Sequence, residues 1–173
     1  MSSIVISGDT SGAITLAAPS VAGTNTATLP AAAGTVMVSG NMPTFSYYQS
    51  SAQTLSTGVA TKLTFTSSDW DTTGGMYSSS RFTPTVAGYY QINAGFAVGV
   101  TSTNCTTSVY KNGSEFKRGM NVQASSALQT VNVIVYCNGS TDYIEIYGTI
   151  QLGQALATGS NLTYFQGILV REA

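Results

Sequence analysis

The chain has no histidine, two cysteines, one tryptophan and little charge of either sign: six Lys or Arg against seven Asp or Glu in 173 residues. Each scarcity excludes something. Without histidine there is no Ser-His-Asp or Cys-His catalysis and no imidazole pH switch, and most zinc hydrolases lose their ligands. A formal net charge of −1 from a few scattered cations leaves no electrostatic footprint for nucleic acid or an anionic membrane. No apolar run approaches the ~20 residues of a membrane-spanning helix. The stretch MSSIVISGDTSG has neither a basic nor a continuous apolar region, which predicts no signal peptide. Two thiols are too few for a disulfide framework.

What replaces the missing charge is neutral. Charged residues make up 8% of the chain, against about a quarter in an ordinary soluble domain. Ser and Thr together supply roughly a quarter of all residues, with 18 Gly besides. Hydrophobic residues at 43% and aromatics at 10% are enough to build a packed core, which argues against disorder.

The periodicity is that of strands. Val59, Leu63 and Phe65 share one parity, and Tyr90, Ile92, Ala94, Phe96 and Val98 form the clearest stripe, opposite Gln91 and Asn93. Val131, Val133 and Val135 alternate with Asn132 and Tyr136, although Ile134 makes both faces apolar. Ile144 and Ile146 alternate with Tyr143, Glu145 and Tyr147. The run from Tyr164 to Val170 is apolar on both sides, as in a strand covered on both faces. Gly74-Gly75, Asn112-Gly113 and Asn138-Gly139 supply turns between the runs. The fold class is all-β, an antiparallel sandwich or barrel.

A boundary falls near residues 40–44, ahead of the first aromatic cluster, so the spacing predicts an arm or stalk over 1–43 and a head over 44–173. The short runs SIVIS, GAITL, NTATL and GTVMVS cannot bury a core by themselves. They must lie on another surface or intertwine with copies of themselves. Disorder is the alternative for such a composition.

Few residues offer chemistry. Asp69 and Asp71, flanking Trp70, are the only close carboxylate pair, and on an extended segment an i, i+2 pair shares a face. A glycosidase or a calcium site would want that, but a glycosidase also needs a cleft and calcium needs more oxygen donors. The simpler expectation is a solvated loop, with Trp70 packed beneath it. Glu115, Lys117 and Arg118 read as a rim ion pair worth under ~1 kcal/mol when exposed. No metal, cofactor or catalytic residue is assigned.

From residue 45 onward the ordered blocks GVATKLTF (58–65), SDWDTTGGMY (68–77), RFTPTVAGYYQINAGF (81–96), SVYKNGSEF (108–116), ALQTVNVIVYCNGSTDYIEIYG (127–148) and TYFQGILV (163–170) resemble the globular head of the C1q/tumour-necrosis-factor superfamily. Asn138-Gly139-Ser140 stands where that family often has a Gly-Asp turn. The first forty residues lack the Gly-X-Y repeat of a collagen stalk and resemble instead short modules of bacteriophage tail fibres and virion appendages. The resemblance implies a ten-strand antiparallel jelly-roll sandwich that forms a tight homotrimer, with the N-terminal β-rich arm attaching it to other virion proteins. On that topology Cys105 and Cys137 fall toward different ends of the sandwich and are expected to stay reduced.

Ten Tyr and six Phe are more aromatic surface than one small sandwich needs inside, and Tyr suits interfaces. Tyr47, Tyr143, Tyr147 and Tyr164 are the candidates for the trimer interface. Asp69, Trp70, Asp71, Thr72 and Thr73 are the candidate receptor-contact loop, with residues 150–162 as a second loop. The expected function is a non-enzymatic bacteriophage virion protein, assembled in the bacterial cytoplasm: a trimeric fibre or knob contacting a host glycan or protein. A capsid decoration or cement protein is the alternative. A polysaccharide depolymerase using Asp69 or Asp71 is the third reading.

Overall fold

The computed structural model describes residues 3–21, 23–26, 31, 33–34, 36–99, 104–122 and 128–173. They fall into two compact units, Met1–Gly34 and Thr35–Ala173.

In the first unit, β1 (Ser3–Ser7) and β2 (Ala13–Ala17) form an antiparallel hairpin with Ile4 opposite Leu16 and Ile6 opposite Ile14. Gly12, at φ 78°, lets the loop close so that the Gly8 amide donates to the Gly12 carbonyl at 3.0 Å. The hairpin buries none of its apolar side chains: Ile4, Val5, Ile6, Ile14 and Leu16 are each more than half exposed. Two strands of five residues have no partner surface of their own.

The second unit begins before the expected boundary. Met37 packs half-buried against the core, and Asn41 caps a short 3-10 turn, accepting from the Val38 amide at 2.7 Å. Among the described residues thirteen strands follow: β3 (Thr44–Tyr48), β4 (Thr54–Leu55), β5 (Thr61–Lys62), β6 (Ser67–Asp71), β7 (Tyr77–Ser78), β8 (Arg81–Phe82), β9 (Ala87–Ala97), β10 (Cys105–Lys111), β11 (Ser114–Val122), β12 (Leu128–Asn138), β13 (Ile144–Ile150), β14 (Gln154–Ala155) and β15 (Tyr164–Glu172). One sheet has the order β12-β9-β15-β3-β6. The other has the order β11-β10-β13-β8-β7, with β5 also paired to β13, and β14 pairs with β4 as a separate ribbon. The strand pairing within these sheets is antiparallel, the sandwich expected from the alternation.

The stripe on β9 is the spine of the core: Tyr90, Ile92, Ala94 and Phe96 are fully buried. The opposite sheet contributes Ile144, Ile146 and Val109, equally buried. Phe45 sits among other rings, 4.7 Å from Phe82 and 5.0 Å from Phe165 between centroids. Each such buried side chain contributes about 1.5–3 kcal/mol relative to exposure. The Phe165-Gln166-Gly167 block has a steric cause here. A Cβ on Gly167 would lie 2.5 Å from the Phe45 ring, so the ring can cross the strand only above a glycine.

Turns follow the local sequence. Asn112 and Gly113, at φ 54° and 79°, join Lys111 to Ser114 as the two-residue hairpin that Asn-Gly favours. Asn138 works differently, its side-chain oxygen accepting the amides of Ser140, Thr141 and Asp142, each at 3.0 Å. Cys105 and Cys137 are both buried as thiols, on different sheets. Cys105 pairs with Ile150 at the end of β13, whereas Cys137 precedes the loop into its start.

One expectation fails on β15. Phe165 and Leu169 are fully buried, but Ile168 is 39% and Val170 48% exposed. Among the described residues of the second unit only one side of that strand is covered.

Candidate assembly face and acidic edge strand

The two sheets differ in charge. The six-stranded one carries Lys62, Arg81, Lys111, Glu115, Lys117, Arg118 and Glu145. On it Lys62 Nζ and Arg81 Nε both reach Glu145 Oε1, at 2.7 and 2.9 Å, and Glu115 pairs with Arg118 at 2.7 Å as a rim pair. Lys111 meets Asp142 at 2.8 Å at the turn end. In the five-stranded sheet, by contrast, β3, β9 and β12 hold no charged residue. Its charges are confined to the edge strand β6 and to Arg171 and Glu172, the last residues of β15.

The outward side of the five-stranded sheet is therefore uncharged between the edge strand β6 and the end of β15, where the Arg171 guanidinium lies 5.4 Å over the Tyr89 ring. One row across it runs Ile134, Gln91, Ile168, Thr44, and the next runs Asn132, Asn93, Gln166, Ser46, Trp70. Tyr136 lies opposite Tyr89, and Tyr164 lies between Gly95 and Tyr48. Several polar side chains here are satisfied locally: Gln91 donates to Asn93 at 3.0 Å and Gln166 to Ser46 at 3.1 Å. The apolar ones are open, Ile134 at 57% being the most exposed. The open apolar side chains Ile134, Tyr136, Tyr89 and Ile168 lie on three adjacent strands, β12, β9 and β15, among neutral polar residues.

Of the four tyrosines expected at an interface, only Tyr164 lies on this face. Tyr143 and Tyr147 do point away from the core, but on the six-stranded sheet. There Tyr147 stacks on Tyr110 at 3.9 Å, and the Arg81 guanidinium lies 3.9 Å over the Tyr143 ring. Tyr47 turns to the inner side and stacks on Tyr77 at 3.7 Å. Alternation fixes the side of a strand that a residue occupies, not the sheet to which the strand belongs. The exposed side chains of this face that the sequence reading did not single out are Tyr89, Ile134, Tyr136 and Ile168. The available signal was the lack of charge over 44–48, 87–97 and 128–138.

The acidic-aromatic segment is not a loop. Ser67–Asp71 is the edge strand β6, paired with β3 through a bulge at Asp69. The bulge separates the two carboxylates. Asp69 accepts from the Ser46 hydroxyl and Asp71 from the Tyr47 hydroxyl, each at 2.8 Å, and consecutive residues of β3 face opposite sides. The shared face that a depolymerase reading requires is absent. Asp71 is further held by the Thr73 amide and hydroxyl, at 2.8 and 2.6 Å. Burial works to raise the Asp71 carboxyl, but the hydrogen bonds from Thr73 and Tyr47 outweigh it and hold the group below the usual carboxylate range. Burial, followed by the bond to Asp71, pushes Tyr47 up to about 12. Neither group is poised for proton transfer near neutral pH.

Thr73 is buried, and its hydroxyl is engaged by Asp71. Thr72 is tied to Thr44, its amide donating to the Thr44 carbonyl at 2.9 Å. Trp70 does not pack under a loop; it is 48% exposed, and its indole N–H donates to Thr44 Oγ1 at 3.4 Å. Among the described residues no cluster of three or more Asp, Glu or Cys could hold a metal ion, and no helix is long and apolar enough to cross a membrane.

Two sheets in this order and packing define the jelly roll of the TNF/C1q fold. Murine APRIL superposes with a TM-score of 0.61 at 9% identity, over 75% of this chain and all of that one. The globular domain of zebrafish complement 1qA gives 0.59 at 13% identity, over 76% and 99%. PRD1 vertex protein P5 gives 0.51 at 20% identity, over 73% and 92%. These likenesses show the fold. No family model matches the sequence, and no curated protein matches it.

Proposed function

We propose that the chain is a non-enzymatic structural protein of a bacteriophage virion, a homotrimeric knob attached through its N-terminal arm and contacting a host surface glycan or protein. The observation that carries this reading is the outward face over β12, β9, β15 and β3, free of charge up to Arg171 and Glu172 at the end of β15, where the Arg171 guanidinium lies 5.4 Å over the Tyr89 ring. In a chain short of charge everywhere, its seven charged positions on the other sheet leave this one fit for burial against copies of itself. A threefold assembly would bring the face of each head against a neighbour, withdrawing Ile134, Ile168, Tyr89, Tyr136 and Tyr164 from water. The hairpin β1–β2, apolar and exposed on both sides, supports attachment to another virion protein, because it gains a core only by docking.

The same arrangement would leave the six-stranded sheet open to the host, together with the outer edge of the five-stranded one. Trp70 and Asp69 remain open on the edge strand β6. The test is adhesion of purified protein to host cells and competition with infection. Saturable binding that blocks infection supports the reading; absence of both overturns host contact.

The likeness to a vertex protein favours a second reading, a decoration protein at a capsid vertex. Immunolabelling of particles separates the two: label at the tail tip supports the knob, and label at capsid lattice positions supports decoration.

A further inference from the structure

We propose that the depression between Lys62, Arg81 and Thr83, on the outward side of the six-stranded sheet, binds a carboxylate-bearing sugar. Lys62, Ser78, Ser79, Arg81 and Thr83 line a hollow of about 420 Å3. The two cations that line it share one carboxylate. Glu145 is 3% exposed, and a single oxygen, Oε1, accepts from both Lys62 Nζ and Arg81 Nε. Two cations face one carboxylate, so one positive charge is left over.

The guanidinium is already oriented for a ligand. Its Nε is engaged with Glu145 and its plane rests 3.9 Å over the Tyr143 ring, while the side chain stays 44% exposed. Among the described residues neither Nη group donates to protein. Two parallel N–H groups on a fixed plane match the two oxygens of a carboxylate. The single surplus charge selects a monoanion; a phosphate monoester, near −2 at neutral pH, would overfill the site.

The remaining wall is hydroxylic. Ser79 and Ser80 have φ 52° and 57°, a left-handed backbone that non-glycine residues seldom adopt. The second is anchored, its hydroxyl accepting the Phe65 amide at 2.8 Å, which fixes the bend and leaves Ser79 at the rim. Ser78, Ser79 and Thr83 thus offer donors and acceptors to sugar hydroxyls beside the cation. The site lies on the sheet that the assembly leaves open, so a trimer would present it three times and multiply a weak single contact.

The biological role of this site rests on the host-contact reading, but its chemistry is tested apart from cells. The intact protein is passed over immobilised polyglucuronate, with a neutral cello-oligosaccharide as reference. Lys62→Gln and Arg81→Gln each remove the surplus charge while leaving Glu145 one cationic partner, and circular dichroism confirms that each variant is folded. The expected result is binding to polyglucuronate only, at least tenfold weaker in both variants and weakened by salt. No binding to polyglucuronate, equal binding to the neutral surface, or unaltered binding by two folded variants overturns the site. Failure of cell adhesion with the sugar binding intact would instead count against the host-contact reading.

Discussion

Tyr136 and Tyr89 face each other across the outward side of the five-stranded sheet, ring centroids 5.5 Å apart, with both rings about two-fifths exposed. Ile134 lies beside them opposite Gln91. A charge at Ile134 should therefore break assembly without disturbing the core. Ile134→Lys is expected to yield folded monomer by mass photometry. The matching change on the other sheet, Phe116→Lys at a residue 38% exposed, should leave assembly intact.

Gly167 lies under the Phe45 ring. Gly167→Ala should cost about 1–3 kcal/mol, the usual penalty for overpacking a core, because the nearest atoms belong to a ring buried on all sides. Denaturant unfolding of the variant measures it. A cost below ~0.5 kcal/mol would mean that Phe45 can move aside.

Asp142 ties two hairpin ends together. It accepts from Asn112 Nδ2 at 2.7 Å, from Lys111 Nζ at 2.8 Å and from the Asn138 amide at 3.0 Å. Asp142→Ala strips a partner from three donors at a nearly buried position, and should destabilise by about 2–4 kcal/mol. Asp142→Asn retains part of the acceptor geometry and should cost less. Equal effects would show that charge, not hydrogen bonding, holds the turn.

The pH dependence should be flat in the middle and fall at both ends. Bonds from Asn112 and Lys111 lower Asp142, and bonds from Arg118 and Ser108 lower Glu115. Burial would raise Glu145, but its bonds to Lys62 and Arg81 prevail and lower it. A lowered folded value gives stability that is present above the unfolded value, near pH 4, and lost as pH falls below it. Burial raises Cys137 from 9.0 to about 11 and Tyr47 from 10.0 to about 12. Raised values give stability that is present below pH 9 and lost between about 9 and 12. With no histidine, thermal melting should show no step between pH 5 and 8. A step in that window would contradict the assignment.

Much of the head was legible because its constraints are local. The β9 stripe is plain alternation, Asn112-Gly113 is backbone chemistry, and the Phe-x-Gly block records a ring lying over a strand. Val59 was misleading: its parity matched Leu63, yet it is 53% exposed, since β5 begins only at Thr61 after Gly58 at φ 70°. Asp69 and Asp71 were misread for a related reason. A bulge inserts one residue and resets the parity, and nothing in Ser-Asp-Trp-Asp announces it. The sparsely charged face was hidden differently. Tyr143 and Tyr147 alternate just as Tyr89 and Ile134 do, and only the pairing of β13 with β10 shows that they belong to the charged sheet.

The most direct test of the central claim is native mass spectrometry of the intact chain at micromolar concentration. The account predicts three chain masses as the dominant species, reduced to one by Ile134→Lys. A dominant monomer in the unaltered protein, or a trimer that Ile134→Lys leaves whole, would contradict assembly through the five-stranded sheet.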